Sequence, residues 1–189
     1  MYTVILNGSP RKDGDTRKLI DMVTDKLNSD FKVIDTFFED IKPCNDCRKC
    51  HSSNSCSIND DMTKFFDDII SADNIILASP LHYSMFTASL LSCVSRFQYF
   101  FVSKYIRKDE SFELKKKRGY LILTGGGATK DFYPIEKVSK LILRQVNATL
   151  EDSIRYIDTD DFPLAEFDSF DEERKKILIN EVDRFVKNF

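Results

Sequence analysis

A chain of 189 residues, 42% of them hydrophobic, with 16 Phe and no Trp, has enough apolar mass for one compact core. Its net charge of −3, from 28 Lys and Arg against 31 Asp and Glu, offers no general attraction to nucleic acid or to anionic membranes. No apolar run reaches the length of a membrane span, and no basic leader with a small-residue cleavage site precedes the first strand, so a cytoplasmic protein without nucleic-acid or membrane partners is expected.

Along the chain, strand-like apolar runs alternate with helix-like stretches. Strands are predicted at residues 2–6, 31–38, 74–79, 120–124 and, from a weaker signal, 153–157; helices at 16–28, 60–72, 87–104, 134–149 and 171–187. The runs Val4-Ile5-Leu6, Ile75-Ile76-Leu77 and Tyr120-Leu121-Ile122-Leu123 do not alternate with polar residues, which is the pattern of strands covered by helices on both faces. The expectation is an α/β fold, a three-layer doubly wound five-stranded parallel sheet. A single domain over residues 1–189 carries a Cys-rich loop at residues 39–59.

After the first strand comes a polar loop, Asn7-Gly8-Ser9-Pro10-Arg11-Lys12-Asp13-Gly14-Asp15-Thr16, feeding a helix whose Leu19, Ile20, Val23 and Leu27 recur at helical spacing. Free N–H groups and the positive dipole end converge at such a helix start, and Ser9, Thr16 and Arg11 add donors for phosphate oxygens. Five residues separate Gly8 from Gly14 and Asp15 stands where a Walker Lys would, while Gly-x-Gly is missing too, so neither common nucleotide fingerprint is present. A Ser/Thr-lined loop suits a terminal phosphomonoester. The alternative is an ordinary strand-to-helix turn with Asp15 or Thr16 as N-cap.

In a doubly wound sheet of flavodoxin-like order, 2-1-3-4-5, ligands bind beyond the carboxyl ends of the first and third strands. After the third strand the chain reads Ser79-Pro80-Leu81-His82-Tyr83-Ser84-Met85-Phe86, with a stiff Pro80 and side chains that can pack along a flat heterocycle. After the fourth it reads Thr124-Gly125-Gly126-Gly127-Ala128-Thr129, where missing side chains permit close backbone approach. The plainer readings are a half-buried core edge and a flexible turn.

Five Cys, four of them within the thirteen positions 44–56, fit a metal or redox site in a reducing compartment better than a secreted disulfide framework. Cys44, Cys47, Cys50 and Cys56, spaced C-x2-C-x2-C-x5-C in a long connection, leave three readings open: a [4Fe-4S] cluster, structural zinc, or no metal, with reduced thiols or a reversible disulfide. The charges of Arg48 and Lys49 are expected to lower thiol pKa values there. Cys93, among Leu90, Leu91, Val94 and Phe97, reads as a small core residue. His51 reads as a surface residue or a rare ligand, and His82 as a donor to a ring carbonyl or a loop filler.

These residues carry a resemblance. Asn7-Gly8-Ser9-Pro10-Arg11 with Gly14-Asp15-Thr16, Ser79-Pro80-Leu81-His82-Tyr83, and the compact Cys group followed by Asp60-Asp61-Met62 resemble the flavodoxin-like NAD(P)H-dependent FMN reductases and the related iron–sulfur flavoproteins, over most of the chain. The resemblance implies an FMN whose phosphate is held by Ser9, Arg11 and Thr16, with Asp15 also among the cofactor-binding residues. It sets the ring against Ser79, Pro80, Leu81, His82, Tyr83, Ser84, Met85, Gly125 and Gly126. Relatives commonly carry Asp-Arg where this chain has Ser95-Arg96, and Tyr-Trp or Tyr-Phe where it has His82-Tyr83.

No Ser-His-Asp or paired-carboxylate arrangement is evident, and flavin chemistry needs none. Three functions stay open: an oxidoreductase taking hydride from NAD(P)H to reduce a flavin, quinone or other small acceptor; an iron–sulfur electron carrier working with a ferredoxin-like protein; and a non-catalytic FMN-binding protein. The family's habit of building the ring pocket between subunits, with the Phe-rich stretch 97–102, suggests a homodimer or higher homo-oligomer. Residues 158–161 read as a solvated acidic turn.

Overall fold

The computed structural model describes residues 1–109, 112–127 and 131–189. Strands β1 (Tyr2–Asn7), β2 (Asp30–Asp35), β3 (Asn74–Pro80), β4 (Lys117–Thr124) and β5 (Ala148–Tyr156) make a parallel sheet in the order β2-β1-β3-β4-β5. Helices α1 (Asp15–Thr24), α2 (Lys49–Ser52), α3 (Asp61–Ser71), α4 (Ala88–Ser95), α5 (Gln98–Phe101), α6 (Tyr133–Gln145) and α7 (Glu172–Val186) complete the layers, with a π-helical turn at Val102–Ile106 and a 3-10 turn at Leu164–Ser169.

The uninterrupted apolar strands divide their side chains between two cores because successive residues point to opposite sheet faces. Val4, Leu6, Ile75, Leu77, Leu121 and Leu123 meet α3, α4 and α6 on one face. Ile5, Ile76, Ala78, Tyr120, Ile122 and Ile154 meet Leu19, Ile20 and Val23 of α1 and Val182 and Phe185 of α7 on the other. Burying each large aliphatic side chain contributes about 1.5–3 kcal/mol, so both layers are held by many such contacts.

Three boundaries differ from expectation for identifiable reasons. β4 starts at Lys117 rather than residue 120: Lys117 is buried and donates to the carbonyls of Ile70 and Ala72 at 2.8 and 3.0 Å, capping the end of α3 with a charge hidden from a pattern of apolar residues. Its burial pulls the Lys117 pKa down to about 8. α6 stops at Gln145 rather than residue 149, because Asn147 takes φ 60° and Ala148 already begins β5. The helix expected over residues 87–104 is broken at Arg96–Phe97 into α4, α5 and the π-helical turn. Phe97, Phe100 and Val102 are core residues, so the stretch expected to offer apolar surface to a second subunit faces inward instead.

Candidate functional site

The chain leaves β1 in one direction for β2 and returns for β3 on the other side, which opens a crevice at their carboxyl ends. A cleft of about 230 Å³ lies there, with walls from the loops after β1, β3, β4 and β5. Its floor is the polar loop before α1. Asn7, buried at the end of β1, donates to Asp35 at 2.7 Å and accepts from the Ser9 N–H at 3.0 Å, which fixes the loop's exit from the sheet. Ser9 Oγ accepts from the Arg11 N–H at 3.2 Å, folding the loop back. Gly8 is required by packing: a β-carbon there would stand 2.6 Å from Thr87 Oγ1, the hydroxyl that donates to the Gly8 carbonyl at 2.8 Å.

The donor set fits a phosphomonoester. Gly14 is the N-cap of α1 and no side chain caps it, so first-turn N–H groups are left for a ligand anion. Ser9 and Thr16 are both nearly fully buried, Arg11 lines the same cleft, and Thr16 Oγ1 lies 2.6 Å from Thr124 Oγ1.

Ser9, Arg11, Asp15, Thr16, Pro80, Leu81, His82, Gly125 and Gly126 all line the cleft. Four others do not. Ser79 is wholly buried and braces the loop from beneath, its Oγ donating to the Pro80 carbonyl at 2.7 Å and accepting from the Thr87 N–H at 3.2 Å. Tyr83, Ser84 and Met85 lie outside it because residues 82–85 close a tight hairpin, with His82 and Met85 exchanging two backbone hydrogen bonds of 2.9 Å. Tyr83 and Ser84 take φ of 53° and 60°, and the Tyr83 ring projects fully into solvent. Asp15 lines the cleft with one carboxylate oxygen accepting from the Leu164 N–H at 2.7 Å, which ties the 3-10 turn to the start of α1. Of the glycine-rich stretch, Ala128 and Thr129 lie outside the described residues.

Thr124, Thr159 and Asp160 also line the cleft, which corrects the reading of residues 158–161 as merely solvated. A β-carbon on Gly126 would overlap the Asp160 carboxylate, so that glycine is what lets the acid sit there. An acidic run in a turn gave no sign of this.

The four clustered cysteines surround a second, much smaller cavity, together with His51, Ile58, Arg96 and Tyr99. The long connection is tied down at several points. The Cys44 N–H donates to Ser95 Oγ at 2.9 Å. Arg107, at the end of the π-helical turn, donates to the carbonyls of Cys50 and Ser53 at 3.0 and 2.5 Å. Arg96 donates to Cys56 Sγ at 3.2 Å. His51 is half-buried against the cysteines rather than free in solvent.

Thiol acidity there is set differently from expectation. Cys47 is lowered by its hydrogen bond to Ser57 (Sγ to Oγ 2.8 Å) and then by the Lys49 backbone N–H, while the Arg48 guanidinium pairs with Asp46 at 3.6 Å. Cys50 is raised, first by burial and then by the neighbouring charges of Cys44, Cys56 and Cys47. Among the described residues no three His, Cys, Asp or Glu close on one point as a single ion needs. What the four thiols share is one cavity wall, and thiolate is the donor type that zinc and iron–sulfur groups both take. Cys93 is apart from all this, fully buried beside Met62 Sδ at 3.6 Å, its pKa pushed up by burial to about 12.

The sheet order and the cleft at its switch point define a flavodoxin-like protein. Residues 1–132 match the family described as NADPH-dependent FMN reductase, and the chain belongs to that family. It is 31% identical over 124 residues to the iron–sulfur flavoprotein of Methanosarcina thermophila, covering 64% of this chain and 61% of that protein. To an iron–sulfur flavoprotein of Methanocaldococcus jannaschii it is 28% identical over 131 residues, covering 66% and 62%. The chain thus spans about three fifths of the length of each of these relatives. An FMN-dependent NADH-azoreductase from Bacillus anthracis shares the fold, with a TM-score of 0.63 at 14% identity over 99% of this chain and 98% of that one. Among the described residues no helix is long and apolar enough to cross a membrane.

Proposed function

We propose that the chain is an FMN-dependent oxidoreductase that takes hydride from NADH or NADPH and delivers electrons to a flavin, quinone or other small acceptor. The observation that carries this reading is the pair of buried hydroxyls, Ser9 and Thr16, beneath the uncapped start of α1. FMN when bound supplies hydride acceptance and release, so the protein needs to bind and orient rather than to act as acid or base. Ser9, Thr16, Arg11 and the first N–H groups of α1 would hold the phosphate. Pro80, Leu81, His82, Gly125 and Gly126 would hold the remainder along the cleft. Residues 1–189 act as one domain, in the cytoplasm, as a homodimer or higher homo-oligomer.

A specific observation favours adding a second electron site: four cysteines line one cavity, and the two relatives described above are named iron–sulfur flavoproteins. Cys44, Cys47, Cys50 and Cys56 would hold a [4Fe-4S] cluster, with a ferredoxin-like protein as electron partner. Anaerobic purification followed by a visible spectrum tests both parts. A flavin spectrum bleached by NADH or NADPH supports the reductase. Flavin that neither nucleotide bleaches, but that a ferredoxin-like donor reduces, would shift the function to electron carriage. Flavin without turnover from any donor would leave a binding protein.

A further inference from the structure

Arg96 is one of the largest fully buried side chains of the molecule, and the carboxylate it meets, Asp60, is buried as completely. One guanidinium nitrogen, Nη1, donates to Asp60 Oδ2 at 2.7 Å and to the Lys42 carbonyl at 3.1 Å. The other, Nη2, donates to Cys56 Sγ at 3.2 Å and to the Ile58 carbonyl at 3.3 Å. Asp60 Oδ2 also accepts from the Lys42 N–H at 2.9 Å. Arg96 Nε and Asp60 Oδ1 are left buried with no partner among the described residues.

Stability alone is a poor account of this pair. Withdrawing two charges from water costs about as much as their attraction returns, apolar side chains of similar volume hold such places as well or better, and each orphaned polar atom adds to the cost. What an apolar pair could not do is set a cationic N–H on a cysteine sulfur. Arg107, the other arginine braced on this loop, donates to backbone carbonyls, the Asn54 side chain, Ser103 and Asp109. Hydrogen bonds to ligand sulfurs and nearby charge are the means by which a protein moves the potential of an iron–sulfur group.

We infer that Arg96, held by Asp60, is the positioning residue that sets the reduction potential of the four-cysteine centre through its N–H to Cys56. The inference rests on the iron–sulfur reading above. The guanidinium favours the more negative, reduced state of any group bound there, and the Asp60 carboxylate opposes it; the two halves of the pair therefore act with opposite sign. Loosening of the loop, by contrast, has no reason to reverse sign between one partner and the other.

The test uses the full chain, reconstituted anaerobically with iron and sulfide, as wild type, Arg96→Gln, Arg96→Lys and Asp60→Asn. Iron per chain, circular dichroism and the midpoint potential of the iron–sulfur signal are measured on each. The expected result is a more negative potential in Arg96→Gln, a smaller shift of the same sign in Arg96→Lys, and a more positive potential in Asp60→Asn. Wild-type potentials in the iron-loaded Arg96→Gln and Asp60→Asn proteins, or shifts of one sign in both, would overturn the inference and leave the cluster standing. Should Arg96→Gln not fold, Asp60→Asn decides alone: a positive shift supports the inference and any other value sinks it. Folded wild type that takes up no iron would instead remove the iron–sulfur reading, and this inference with it.

Discussion

The sheet-edge cleft and the cysteine loop are built on opposite principles, and one helix serves both. The cleft is made from short loops whose conformations follow from the strands they leave, so its buried hydroxyls are placed by the sheet itself. The cysteine loop is a long connection with little secondary structure of its own, positioned by side chains that reach in from elsewhere, above all Arg96 and Arg107. At the start of α4, Thr87 holds the Gly8 carbonyl of the cradle; at its end, Ser95 and Arg96 hold the cysteine loop. At 1.5 Å per residue those two ends are about 13 Å apart. A site dictated by its scaffold tolerates change elsewhere, whereas a braced site depends on each brace.

The largest effect should come from the cysteines. Replacing Cys44, Cys47, Cys50 or Cys56 by Ala should abolish iron binding while flavin content stays at the wild-type level, and Cys93→Ala should change only packing. Iron and flavin analysis of the five purified variants checks this; flavin lost together with iron would show that the two regions are not independent.

Conversely, Ser9→Ala or Thr16→Ala should weaken FMN by about 1.5–3 kcal/mol per lost bond to charge and riboflavin much less, with iron unchanged. Equal losses for both ligands in fluorescence titrations would place the phosphate elsewhere.

A control for both is Lys117, at the opposite end of the sheet from the cleft. Its folded pKa of about 8 lies below the ordinary 10.5, so between those values the unfolded chain holds more protons and stability should rise with pH. Below pH 8 both states are charged and the slope vanishes. Urea melts at pH 7.5 and 9.5 should show that gain in wild type and its loss in Lys117→Met, without preference for either site.

The remaining effect, which touches neither site, concerns the hairpin at Tyr83–Ser84. Two non-glycine residues with positive φ cost about 1–2 kcal/mol each, and Asn-Gly is the pair such a turn prefers. The Tyr83→Asn, Ser84→Gly double variant should melt a few degrees higher; a lower melting temperature would mean that the Tyr83 ring contributes contacts outweighing its strain.

Most of the layer architecture is legible in the residues because periodicity reports burial, and burial is what a doubly wound sheet demands of Val4 to Leu6, Ile75 to Leu77 and Tyr120 to Leu123. The cradle is legible for the same local reason: Ser9, Arg11 and Thr16 are neighbours in sequence and in space. Long-range placement is not. Asp160 enters the cleft from residues far along the chain, Asp15 turns away toward Leu164, and Arg96 and Arg107 reach the cysteine loop from about forty to fifty residues further along. Lys117 similarly hides a strand start, because a cation on helix-end carbonyls breaks the apolar pattern without leaving the core.

The π-helical turn at Val102–Ile106 gives the cysteine loop a dependence on residue count. The Arg107 N–H closes on the Val102 carbonyl, five residues back, at 2.9 Å, one residue more than an α-turn would enclose. Four steps of an α-helix turn the chain by about 400°, and the five steps of this wider turn bring Arg107 back over the same carbonyl, so the turn takes in one extra residue while the arginine stays directed at Cys50 and Ser53. The loop's second anchor is thus written as a length: a further residue inserted here has no wider turn to enter and would displace it.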